Sequence, residues 1–315
     1  MQEIVFLKQN AQRWQEFEKW LADSKGADPD TLARLFIELT DDLSYARTFY
    51  PQSETSRYLN GLAAKVHQQI YRNKKETRQR LYSFWSFELP RLFARFHKEL
   101  LYSCVIFWLA VFIGVVSAAN DDGFIRLILG DKYVNMTLSN METGDPLAVY
   151  KSMNQVDMFL GLTVNNIRVA LTAFVAGVLF SFGTAYVLFT NGVMLGAFHY
   201  LFYENGLLEK ALLTVWIHGT LEISAIIIAG CAGLVMGNSI LFPGTYARLQ
   251  SFRSGAIQGL KIAIGLVPVF VVAGFLEGFV SRYSDMPVWL SLGIISSSFV
   301  FVLWYFILYP LRLRV

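Results

Sequence analysis

The chain has 315 residues, 54% of them hydrophobic and only 16% charged, with a mean hydropathy of +0.41 and a formal net charge of +3. Soluble domains carry about a quarter charged residues, so a wholly soluble globular protein is excluded. The charge is also uneven: 16 of the 27 Lys and Arg and 13 of the 24 acids precede residue 100. The pattern predicts an all-α protein in two parts, a cytoplasmic helical domain over 1–96 and a transmembrane helical domain over 97–315.

In chain order, amphipathic periodicity predicts a first helix over 4–22 carrying Phe6, Trp14, Phe17 and Leu21. A second follows Asp28 as cap and Pro29 at the first helical position, and stops before Pro51. The stretch "SETSRYLNGLAAKVHQQIYRNKK" is a third. Residues 65–98 then hold nine basic residues, two acids and many aromatics. Such a stretch suits an anionic cytoplasmic leaflet, so the lipid bilayer is the first expected partner. A solvated helix face explains the charge alone about as well.

No secretory signal precedes the apolar part, so its first span is expected to be a true membrane segment. Leu100–Ala119 is charge-free and long enough to cross a ~30 Å hydrocarbon core. Val169–Thr190 reads as a second span. The third, 191–206, is bracketed by two Asn-Gly pairs and is expected to be short or re-entrant. Ala211–Gly237, Ile262–Ser281 and Pro287–Tyr309 complete about six segments. Basic residues at 238–261 (Arg248, Arg253, Lys261) and in the final "LRLRV" contrast with six acids against three bases at 120–166. The positive-inside rule then puts both termini in the cytoplasm.

Ionisable groups inside spans need a partner or a task. His218 and Glu222 lie four residues apart on one helical face. With the expected topology, Glu277 and Arg168, the latter beside Asn165 and Asn166, reach a similar depth. These residues are read as one intramembrane polar cluster. It is either a pocket for an ion, proton or ligand, or a buried network that fixes helix packing. A zinc site is disfavoured: catalytic zinc needs three protein ligands, and His199 is the only other histidine inside the expected apolar spans. No metal, cofactor, catalytic residue or nucleic-acid partner is therefore expected, and no Walker or Gly-x-Ser-x-Gly motif occurs. Cys104 and Cys231 are expected as small apolar fillers. Gly192 and Gly196, Gly233 and Gly237, and Gly274 and Gly278 form three small-xxx-small faces for close packing within a bundle or, less often, between copies of the chain.

The segments "NNIRVALTAFVAGVLFSFGTAYVLFTNGVMLGA", "HGTLEISAIIIAGCAGLVMG", "FPGTYARL" and "EGFVS" resemble, in order, the stage II sporulation protein M family of bacterial membrane proteins. "WQEFEKWL", "LSYARTFYP" and "YLNGLAAKVHQQIY" resemble the N-terminal extension of its longer members. The family usually has Pro where this chain has Ile217, and Pro near Arg282. By resemblance, Asn165, Asn166, Arg168, Asn191, Gly192, His218, Gly219, Glu222, Glu277 and Gly278 occupy characteristic positions, with no catalytic role attached. The resemblance implies a non-enzymatic scaffold or adaptor of the bacterial inner membrane working with other envelope proteins; the glycine faces add the expectation of a homo-oligomer, at its simplest a homodimer. A channel or transporter component using the Arg/His/Glu cluster is the alternative.

Overall fold

The structure, a computed structural model, describes residues 2–22, 29–72, 78–143, 148, 154–282 and 286–313. Among these residues every regular element is helical. The chain divides into two compact units, Met1–Arg80 and Leu81–Val315.

In the first unit, α1 (Glu3–Ala22), α2 (Pro29–Phe49) and α3 (Glu54–Arg72) enclose one apolar core. Phe6, Trp14 and Phe17 of α1 meet Leu39, Leu43 and Ala46 of α2 and Leu59, Leu62 and Val66 of α3. Asp42 ties the first two helices together: it pairs with Arg13 and accepts the indole N–H of Trp14 at 2.8 Å. Helix α2 ends two residues before Pro51, which has no N–H to continue the ladder. The Asp28 cap lies outside the described residues.

The boundary between units falls at Arg80, not residue 96. Helix α4 (Arg78–Ser83), a wide π turn over Phe84–Glu88 and α5 (Leu89–Arg95) lead into the bundle. Leu89, Pro90 and Phe93 are buried there. Trp85 donates its indole N–H to the Gly265 carbonyl at 3.2 Å, and its own carbonyl accepts from the Tyr305 hydroxyl. Lys261 pairs with Glu88. The end of the basic aromatic stretch therefore packs into the bundle through Leu89, Pro90 and Phe93, whereas Leu81, Tyr82 and Phe87 are exposed.

Among the described residues six helices are long and apolar enough to cross a membrane: His97–Asn120, Gln155–Val178, Phe182–Glu204, Leu208–Leu241, Arg248–Val280 and Val288–Arg312. The first is α6. Two short helices, α7 (Phe124–Leu129) and α8 (Asp131–Glu142), follow it, then α9 (Gln155–Val175), capped by the Asn154 side chain on the Val156 N–H. Helix α10 is Phe182–Glu204 and α11 is Leu208–Leu241. The fifth crossing is built from α12 (Arg248–Gly265), α13 (Val267–Phe275) and a π turn at Leu276–Val280; the sixth begins with α14 (Val288–Leu303). The central helix is α11, 72% buried over its apolar window against 22–44% in the others. It touches α6, α9, α10, α12, α13 and α14. It contains no proline and runs 34 residues without a break.

Two expected spans move. The apolar run 169–190 is not one crossing, because the chain reverses inside it. A 3-10 turn at Ala176–Val178 leads into Phe180 (φ 53°) and Ser181 (φ 68°), and α10 starts at Phe182. The third segment is consequently a full helix of 23 residues, about 34 Å long, not a short or re-entrant piece. Its Asn191–Gly192 pair marks a packing site, not a turn. A Cβ at Gly192 would sit 2.7 Å from Ala110 Cβ, and one at Gly196 2.9 Å from Val115 N, both on α6. Gly233 and Gly237 approach the α9–α10 hairpin as closely, Gly274 meets Thr163, and Gly278 lies against Gln155 and Phe159. All six predicted glycines thus serve contacts within one chain. The supposed 238–261 connection is mostly helix as well, with only 242–247 between α11 and α12.

Candidate functional site

Two elements bring the ionisable groups together. On α11, His218 and Glu222 share a face one turn apart. Opposite them, the π turn ends the fifth crossing, closed by the Ser281 N–H on the Leu276 carbonyl at 2.8 Å. A π turn widens the helix by one residue and is frequent where a side chain must be re-aimed. Here it presents both Glu277 and Ser281 to His218. The imidazole Nδ1 lies 2.9 Å from Ser281 Oγ, and Nε2 lies 3.6 Å from Glu277 Oε1. One ligand-type atom each from His218, Glu222 and Glu277 falls within 4.8 Å of the others. His218 and Glu277 are buried, whereas Glu222 keeps some accessible surface.

That surface belongs to a cavity of about 590 Å³, within the usual range for small-ligand sites. Glu222, His218 and Glu277 lie at one part of its wall, with Asn165, Asn166 and Asn191 nearby, and Ile128, Leu129 and Tyr133 of α7 and α8 also face it. Burial pushes the Tyr133 hydroxyl up from its ordinary value, so it faces the cavity as a neutral phenol. No Lys or Arg lines the cavity among the described residues. Asn166 is 4% exposed and its Nδ2 has no hydrogen-bond partner.

The cluster differs from the expected one at two places. Arg168 is outside it. Because α9 begins at Gln155, Arg168 sits in mid-span, about 200° around the helix from Asn166, exposed beside a groove lined by Val164, Leu171 and Val175. Asn165 is exposed at the cavity edge while Asn166 faces in. His199 is engaged elsewhere, accepting the Trp216 indole N–H at 3.0 Å. Sequence reasoning missed Ser281, although its four-residue spacing from Glu277 was visible, and missed the α7–α8 contribution, which nothing in the sequence flagged. Chemically, an imidazole and two carboxylates can hold a cation or pass a proton. The Ser281 hydroxyl is also within hydrogen-bond reach of the imidazole.

Comparison with known proteins adds lineage. Residues 103–282 match the family described as Stage II sporulation protein M, and residues 4–72 match a domain of unknown function. No curated protein and no solved structure matches the chain.

Proposed function

Because the chain belongs to the Stage II sporulation protein M family, we propose that it is a non-enzymatic scaffold or adaptor of the bacterial inner membrane. The observation that carries this reading is the division into two separately cored units, a three-helix unit outside the spans and a six-span bundle. In this reading both termini are cytoplasmic, as the basic residues that open α12 and the acids around α7 and α8 favour. The first unit docks other envelope proteins through exposed apolar positions such as Ile4 and Ile37, and Leu81, Tyr82 and Phe87 meet the leaflet. The chain acts as a homo-oligomer: mid-span Arg168, costly against lipid, is covered by a second copy.

A second reading, an ion- or proton-conducting component, draws on the polar cavity beside Glu222. One experiment separates the two. Photo-crosslinking residues at Ile37 and Arg168 in intact cells should give a discrete heterologous adduct and a dimer, respectively, while liposomes containing the pure protein leak no faster than empty ones. Flux that Glu222→Gln abolishes, without adducts at either position, would contradict the scaffold.

A further inference from the structure

We propose that His218 Nε2 and the carboxylates of Glu222 and Glu277 are the protein ligands of a divalent cation of the zinc or manganese class, bound beside the cavity between α11 and the 276–280 turn. This goes beyond the scaffold reading and does not depend on it.

Five observations converge. The three ligand atoms lie within 4.8 Å of one another. The 3.6 Å between His218 Nε2 and Glu277 Oε1 is long for a hydrogen bond. It is close to the ~3.4 Å edge of a tetrahedron whose corners are about 2.1 Å from a central zinc. Ser281 Oγ engages Nδ1 at 2.9 Å, which is how a metal-bound imidazole is usually oriented, by its other ring nitrogen. In the tautomer that donates Nδ1–H to that hydroxyl, Nε2 turns a lone pair towards the two carboxyl groups, an arrangement a cation at the centre would stabilise.

The remaining two observations concern what surrounds the ligands. Among the described residues no lysine or arginine lines the cavity to supply that charge, Arg168 being on the far side of α9. Asn166, from a third helix, is 4% exposed, lines the same cavity and has an unpartnered Nδ2. Its side chain also interacts with Glu222, so it is placed to orient that ligand or a water in the open position of a three-ligand site. One imidazole with two carboxylates favours zinc or manganese over calcium, which takes oxygen donors, and over copper(I), which takes sulfur. Cys104 and Cys231 are not among the lining residues.

The test uses the full chain in lipid nanodiscs, stripped with EDTA and titrated separately with ZnCl2 and MnCl2. Bound metal per chain is read by elemental mass spectrometry after desalting, and thermal unfolding is followed in parallel. One ion of either metal per chain, a raised unfolding temperature, and at least about tenfold weaker binding in Glu222→Gln and in Glu277→Gln are expected, with Arg168→Gln unchanged. Wild-type protein that takes up no stoichiometric metal overturns the proposal. So does a folded Glu222→Gln/Glu277→Gln double variant that still binds one ion. The wild-type titration decides even where a variant does not fold, and a negative result leaves the crosslinking test of the scaffold untouched.

Discussion

At His218 the two ring nitrogens do different work: Nδ1 is held by Ser281 and Nε2 is turned towards Glu277 and Glu222. A buried imidazole that loses its hydroxyl partner is left with an unsatisfied polar atom, at a cost of about 1–3 kcal/mol. Ser281→Ala should therefore lower the thermal unfolding temperature of the detergent-solubilised chain. An unchanged temperature would mean that the hydroxyl contributes nothing. The residues of this site were partly legible beforehand. His218 and Glu222 declare themselves by spacing, and Glu277 by its charge in an apolar run. Arg168 was placed by its expected depth, and depth does not reveal which way a helix is rotated. Once α9 starts at Gln155, the same residue points away from the carboxylates it was expected to neutralise.

At the scale of elements, hydropathy found the number of spans but not all their ends. The run from Val169 to Thr190 stays apolar through its own reversal, because Phe180 and Ser181 make the left-handed turn without glycine or proline. Left-handed φ at such residues costs about 1–3 kcal/mol and persists only where the surroundings enforce it. Thr184, donating to the Ala173 carbonyl at 2.7 Å, and Gly237, against Ser181, are what close the hairpin. Conversely, Asn191–Gly192 has turn composition but lies inside α10, where glycine is needed for the approach to α6. Two substitutions of the same kind should then have opposite signs. Gly196→Ala forces a Cβ onto the backbone of Gly114 and Val115 and should cost about 1–3 kcal/mol. Gly61→Ala in α3 meets nothing within 4 Å and should stabilise its helix by about 0.4–1 kcal/mol. Thermal unfolding of the two variants compares them directly, and equal shifts would refute the packing role of Gly196.

Over the whole molecule, α11 is the organising element, since all other crossings contact it and its buried face carries two of the three ligand-type groups. The third arrives from a turn 55 residues past Glu222, which sequence spacing cannot locate and only the bundle's packing brings near. That long-range meeting distinguishes a site from three unrelated polar residues. A double-mutant cycle on chemical unfolding of the full chain measures it, pairing His218→Ala with Glu277→Gln and, for comparison, Arg168→Gln with Glu277→Gln. The first pair should be non-additive by about 0.5–3 kcal/mol and the second additive within about 0.5 kcal/mol. Additivity at His218 and Glu277, or coupling only through Arg168, would contradict the site.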